Sequence, residues 1–302
     1  MSVQPTRTRS LAAVGPSLKG RDVPAPVRRH RLFETIRSHA VLIFVSALFF
    51  VPLIFVILTS LMTDQQANTK QLWPSPFVPG NYADVFSTVP FLRYTFNTMT
   101  VAVLSTAGVV VSSIPVAYAL SRMKWRGRQA VFVLVLATLM LPYQVTALPL
   151  YIVFVKVFHW VPGLKPLIVP SFFGDAFSIF LLRQFFRSIP DELADAARVD
   201  GATDWQIMTR VIVPLAKPAI AAVALFNFLY AWNDFFAPLL YLGEDSKSWT
   251  LAIGLSEFKA LHHVQWNLTM AASLEFMIPV VILFFVMQRV FIEGITVTGV
   301  KG

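Results

Sequence analysis

The sequence predicts an all-α membrane protein with six spanning helices and both termini on the cytoplasmic side. Three observations carry that expectation: an apolar composition, six apolar runs of roughly bilayer length, and a one-sided distribution of Lys and Arg. Hydrophobic residues make up 56% of the 302 residues and charged residues only 14%, where a soluble domain carries about 25% charged. About 20 apolar residues at 1.5 Å rise cross a hydrocarbon layer of roughly 30 Å.

In chain order, residues 1–39 read as a basic, largely disordered cytoplasmic arm, with Pro5, Pro16, Pro24 and Pro26 among basic and small residues. The six runs follow at 40–62, 95–120, 130–155, 167–182, 218–242 and 268–288, so that 40–302 form one membrane domain. The first is too long for a signal-peptide core and ends without an A-x-A-like site, which predicts a retained span. The fourth is short and contains Pro170, Gly174 and Asp175; it is expected to extend through Arg183 to Arg187, whose side chains would snorkel to the interface. Pro52, Pro115, Pro142, Pro149, Pro170 and Pro279 sit within runs and predict kinks.

Nineteen of the 25 Lys and Arg fall on the arm, the 122–128 connection, the 183–217 segment and the C-terminal end, against six on the alternate connections. Cytoplasmic loops hold the excess of positive charge, which sets the orientation. The net charge of +9 is thereby a topology signal, and nucleic acid is not an expected partner. Membrane lipid is. With no Cys, disulfides and thiolate metal sites are excluded. His262 and His263 lack further ligands at metal spacing, so no metal site is expected. Gly15 to Asp22, GPSLKGRD, has Walker-like glycine spacing, but Arg21 and Asp22 stand where Lys and Ser or Thr would hold phosphate and Mg²⁺. No cofactor is expected in this chain, and no Ser/His/Asp or paired-carboxylate constellation suggests an enzyme.

The most ordered polar stretch lies between the fourth and fifth runs, at 190–218. Asp191 and Glu192 follow Pro190 as acidic groups do at a helix start. Leu193, Ala196 and Ala197 fall at helical spacing and predict a narrow apolar face. Asp200-Gly201 predicts the turn that ends this helix. Thr203 and Gln206 stand at capping-box spacing and start a second helix, with Trp205, Met208 and Ile212 on one side and Ile207 and Val211 nearby. Pro214 and Pro218 mark its end. The product is a compact knob for a docking partner. The five acids Asp191, Glu192, Asp195, Asp200 and Asp204 disfavour its lying on an anionic leaflet instead.

The segment DAARVDGATDWQIMTRVIVP at 195–214 resembles the E-A-A loop of integral-membrane permeases of binding-protein-dependent ABC importers. Asp195 replaces the usual Glu, Met208 stands where an aromatic is common and Val213 replaces Leu. AWNDFFAPL at 231–239 and GITVTGVKG at 294–302 look like the corresponding parts of the carbohydrate branch, the six-span maltose-type subunit. The resemblance implies a type I permease fold in a bacterial cytoplasmic membrane, a companion permease, two cytoplasmic ATPase subunits that bind ATP and Mg²⁺, and an extracytoplasmic sugar-binding protein reached by the 243–267 loop. It implies that Asp195, Ala196, Ala197, Asp200, Gly201, Ala202, Trp205 and Pro214 contact the ATPase, and that the tail, Gly299, Val300, Lys301 and Gly302, reaches its interface.

Polar residues within spans are costly to desolvate and are candidates for a translocation path or for interhelical bonding. They are Asn97, Gln144, Asn227, Asn233, Asp234 and Glu275, with Tyr230, Trp232, Phe235 and Phe236 as aromatic neighbours of Asn233. Asn227, Trp232, Asn233, Asp234 and Glu275 form the expected path. The alternative function is a secondary transporter driven by H⁺ or Na⁺ through Asp175, Asp234 or Glu275.

Overall fold

The computed structural model of the protein describes residues 26–260 and 263–298. Fifteen helices can be followed in them. The first, α1 (Pro26–Ser60), begins well before the expected boundary at residue 40, so the expected arm contains helix from Pro26 onward; residues 1–25 lie outside the described residues. Residues up to Ile54 form a unit of their own and the remainder forms a second. In the first unit the side chains from Arg37 to Phe50 are exposed and predominantly apolar, as suits a lipid-facing helix.

In the second unit, α2 (Asp64–Ala67) and α3 (Asn81–Thr88) lead into the long α4 (Phe91–Ser121). Then come α5 (Arg128–Thr138), α6 (Tyr143–Lys156), α7 (Lys165–Ile168), a 3₁₀ turn at Val169–Phe173, and α8 (Ala176–Ser188). The polar stretch holds α9 (Asp191–Val199), α10 (Asp204–Ile207), a π turn at Met208–Ile212 and α11 (Val213–Leu215). The chain ends in α12 (Lys217–Asn233), α13 (Phe236–Tyr241), α14 (Leu251–Gly254), a short antiparallel hairpin of β1 (Lys259–Ala260) and β2 (His263–Val264), and α15 (Trp266–Thr298).

Among the described residues, four helical stretches are long and apolar enough to cross a membrane: Arg37–Ser60, Phe91–Ser121, Lys165–Ser188 and Trp266–Gln288. Two bent pairs raise the number to six if each counts as one span. The fourth run extends to Ser188, as expected. Two others depart from expectation. The third run is broken: α5 and α6 meet at 94°, because Pro142 cannot donate to the preceding turn and pushes Leu141 away from helical backbone. The fifth is interrupted at Asp234 and Phe235, where an Asp234 oxygen accepts the Ala237 N–H at 3.2 Å and starts α13 afresh.

α4 is the hub on which α8, α12 and the 3₁₀ turn pack, and α12 packs in turn on α15. One core, at the α3 end of α4, gathers Val85, Phe91, Tyr94, Trp232, Leu251, Phe258, Leu268 and Ala271. Buried polar groups there are paired in a way that ties elements together. Asn81 donates to the Ser60 and Met62 carbonyls, both at 2.8 Å, and accepts from Asn267 at 3.1 Å, so the end of α1, α3 and α15 share one amide. Asn97 donates to the Lys247 and Trp249 carbonyls at 3.0 and 2.9 Å, fastening α4 to the following loop.

In this core Gly254 lies close against the Tyr94 ring. A Cβ at Gly254 would lie 2.2 Å from the Tyr94 ring, and that ring is itself 2% exposed and has nowhere to swing. Gly254→Ala is expected to cost about 1–3 kcal/mol through overpacking, read as a lowered thermal unfolding midpoint of the detergent-solubilised protein. An unchanged midpoint would show that Tyr94 yields freely.

Candidate coupling site

The knob at 190–218 is built by local rules and then fixed by burial. Helix α9 ends in a Schellman arrangement: the Gly201 N–H donates to the Arg198 carbonyl at 3.0 Å and the Ala202 N–H to the Ala197 carbonyl at 2.9 Å. Gly201 carries this at φ +82°, a conformation that a β-carbon disfavours. Thr203 and Gln206 form the expected capping box: the Thr203 hydroxyl accepts the Gln206 N–H at 3.3 Å, and the Gln206 side chain accepts the Thr203 N–H at 2.8 Å. The π turn that follows places consecutive large residues on one side.

That side faces inward. Ile207, Met208 and Ile212 are buried with Ala194 and Ala216 against Val109, Ala117 and Tyr118 of α4, Leu182 and Phe186 of α8, and Ala219 and Val223 of α12. Each large side chain so buried contributes about 1.5–3 kcal/mol. The ion pairs are worth less. Arg198 donates to Asp195 at 2.7 Å and lies 3.6 Å from Asp204, but its side chain is 42% exposed, and exposed pairs contribute about 0–1 kcal/mol. Desolvation pulls the Arg198 guanidinium down, and the Asp195 hydrogen bond together with the Asp204 charge outweighs it and holds it above its ordinary value. Packing therefore holds the knob, and Arg198 sets the register of α9 against α10. The Tyr118 hydroxyl adds a 3.3 Å bond from α4 to Asp204.

Two arginines stitch the knob's root. Arg122, buried after the end of α4, donates to the Phe186 and Ile189 carbonyls and to Asp191, capping α8 and holding the start of α9. Arg183 does not snorkel as expected: it is buried, donates to the Leu120 carbonyl at 3.0 Å and stacks its guanidinium 3.7 Å from the Phe132 ring centroid. Carbonyls at the end of α4 and an aromatic ring offered a closer partner than the interface did. Arg187 is exposed.

The outward face differs only in part from the expected one. Leu193 and Ala196, two members of the predicted apolar face, are exposed, whereas Ala194 is buried and Ala197, the third member, leans on the same core. Trp205, expected beside Met208 and Ile212, points out at 67% exposure while both of those are buried. Of the eight expected contact residues, Asp195, Ala196, Asp200, Gly201, Trp205 and Pro214 are exposed, and Ala197 and Ala202 are half-buried. With Leu193 and Val199 they make a surface where apolar side chains stand among acidic ones. Val199 went unmarked in the sequence; the inward register of Ala194 and Ala197 is what places it, with Leu193, outside. The tail residues Gly299, Val300, Lys301 and Gly302 lie outside the described residues.

The expected path residues separate. Asn227 lines a cavity of about 640 Å³ with Thr138, Asp175, Phe177, Phe226 and Tyr230, between α5, α8 and α12. A smaller cavity of about 70 Å³ shares Asn227 and Tyr230 and reaches Asp234. Asn227 also donates to the Thr106 hydroxyl of α4 at 3.1 Å. Trp232 is fully buried elsewhere, stacked on Phe228 and donating to the Phe276 carbonyl at 3.2 Å. Asn233 opens on a different cleft with Phe235, Ser256 and Thr269. Glu275 lines neither cavity, and its buried Oε2 has no hydrogen-bond partner among the described residues. Asp175 and Tyr230 come together with Asn227 around one cavity only in three dimensions. Among the described residues no three His, Asp or Glu side chains gather as metal ligands would.

Comparisons with known proteins agree with this architecture. Residues 109–297 match the family described as "Binding-protein-dependent transport system inner membrane component". The chain is 35% identical to the osmoprotective compounds uptake permease protein GgtD of Synechocystis sp., over 74% of this chain and 76% of that one. It is 34% identical to the arabinooligosaccharides transport system permease protein AraQ of Bacillus subtilis, over 70% and 74%, and 31% identical to the diacetylchitobiose uptake system permease protein NgcG of Streptomyces coelicolor, over 83% and 84%. A crystal structure of a bacterial ABC transporter involved in alginate import shares the fold, with a TM-score of 0.71 at 24% identity, covering 87% of this chain and 97% of that one. The chain belongs to the family of inner-membrane components of binding-protein-dependent transport systems and is a multi-pass permease of the inner membrane.

Proposed function

We propose that this chain is the permease subunit of an ATP-driven ABC importer for a sugar or sugar derivative, and that the knob at 190–218 is where an ATPase subunit grips it. The carrying observation is the two-sidedness of the knob: Ile207, Met208 and Ile212 are locked inward, while Leu193, Val199 and Trp205 are presented outward. An apolar surface kept exposed on a rigid support, with a tryptophan in it, is suited to protein docking. The sugar assignment is supported by relatives whose names specify arabinooligosaccharides and diacetylchitobiose.

In this reading a companion permease completes the pore, a binding protein delivers cargo from the far side, and two cytoplasmic ATPases hold ATP and Mg²⁺; ATP hydrolysis belongs to them. The lysine and arginine excess supports a cytoplasmic knob. The knob and the root of α12 move as one piece, so that closure of the ATPases rocks the helices and exposes the path to each side in turn. Asn227, Tyr230, Asp175 and Asp234 line that path in this chain. The ion-driven alternative has no observation that favours it.

Two measurements test this. Gly201→Val places a β-carbon at φ +82° and is expected to cost about 1–2 kcal/mol locally, and Trp205→Ala removes the outward ring. Both variants are expected to insert normally yet lose most ATP-dependent uptake and co-purify poorly with the ATPase. Full uptake by both would overturn the docking assignment. The absence of native Cys permits single-cysteine labelling: a membrane-impermeant thiol reagent is expected to modify Asp200→Cys in inside-out vesicles and not in intact cells. Labelling from the outside would reverse the orientation and remove the knob from any cytoplasmic motor.

A further inference from the structure

Beside the knob, where the stretches Phe91–Ser121 and Lys165–Ser188 end, a cleft of about 370 Å³ opens between the 122–128 connection, the end of α8 and α9. Five cations line it, Arg122, Lys124, Arg128, Arg187 and Arg198, against two carboxylates, Asp191 and Asp195. Both carboxylates are engaged: Asp191 accepts from Arg122 and Asp195 from Arg198. Arg128 rests on neutral acceptors, the Met123 carbonyl at 2.9 Å and the Ser121 carbonyl at 3.4 Å. Lys124 and Arg187 are exposed, and their side chains have no hydrogen bond or ion pair among the described residues. Three uncompensated positive charges from two separate segments thus converge on one concavity.

A solvated basic loop is the ordinary reading of such charge. Against it stand the concave shape and the immediate surroundings. Like charges on adjacent elements repel unless an anion sits between them. Lys124 and Arg128 also border a neighbouring cleft walled by Trp125, whose indole N–H is held by the Ala119 carbonyl at 3.1 Å and whose ring is 40% exposed, a position typical of Trp at a bilayer surface. From Arg128 onward, α5 presents Val131 and Leu134 outward on successive turns. A charged seat, an interfacial tryptophan and an apolar strip thus follow one another along the chain.

We propose that this cleft binds the phosphate of an anionic phospholipid, with the acyl chains lying along the exposed face of α5. Basic pockets between membrane helices recognise such headgroups in general. The proposal stands on the cleft alone and does not depend on the transport reading.

Native mass spectrometry of the full purified chain in detergent, with phosphatidylglycerol or phosphatidylcholine of matched acyl chains added, tests it. The wild type is expected to retain phosphatidylglycerol preferentially, and the preference is expected to fall about fivefold for each charge removed among Lys124→Gln, Arg128→Gln and Arg187→Gln. Lys156→Gln and Lys165→Gln, between α6 and α7, serve as controls that leave it unchanged. Should the triple variant fail to fold, Arg187→Gln alone alters only an exposed side chain. Equal retention of the two lipids, or a preference indifferent to all three substitutions, overturns the proposal. So does displacement of the lipid by inorganic phosphate with no dependence on acyl chains, which would assign the cleft to a soluble anion. Loss of ATPase co-purification with lipid retention unchanged would assign it to a protein contact instead.

Discussion

The burial of Ile207, Met208 and Ile212 in the crevice between α4, α8 and α12 is the constraint on which the rest of the knob depends. A polar segment outside the membrane has few ways to hold a fixed shape. The ion pairs of Arg198 are exposed and the helices of the knob are short, too short to persist alone. Three large side chains seated in a core shared with the spans supply what the ion pairs do not, and they decide which residues are left on the outside. Trp205 is outward because its neighbours in the same turn are inward.

The same crevice explains why two arginines lie buried at the root. Burying a guanidinium is unfavourable unless its donors are met. Arg122 meets carbonyls at the end of α8 and the Asp191 carboxylate, while Arg183 meets a carbonyl at the end of α4 and the Phe132 ring. Both therefore satisfy helix ends that would otherwise be open. The cost of two buried charges is offset by these hydrogen bonds, the Asp191 carboxylate and the ring contact, which together join α4, α8 and α9.

Much of this was legible in the sequence where one local rule dominates. Thr203 with Gln206 announced the capping box, Gly201 the left-handed turn, and the apolar runs most of the spans. The failures came where the outcome depends on what lies opposite. A short helix with Leu193, Ala194, Ala196 and Ala197 offers two apolar faces of similar quality, and only the position of α4 and α8 selects Ala194 and Ala197 for burial. Arg183 read as a snorkelling residue because nothing in one dimension shows a carbonyl and a phenyl ring waiting for it. The break before α13 falls at the polar pair Asn233-Asp234, which the run at 218–242 was read across because apolar sequence resumes at once with Phe235 and Phe236. The lining of the larger cavity draws on three helices distant in sequence, so Asp175 and Tyr230 could not be paired with Asn227 beforehand.

The bend at the base of the knob has a mechanical consequence. The rod Asp204–Leu215 meets α12 at 79° with only Ala216 between them, and that residue is fully buried. At 1.5 Å per residue the two arms measure roughly 18 Å and 25 Å. Two helical arms thus meet at nearly a right angle on a buried residue, the geometry of an elbow, and in the proposed coupling a sideways pull on the short arm would become a swing of the long one. Ala216 is the residue at that elbow, and its burial leaves no room there for a larger side chain without displacing one arm from the other.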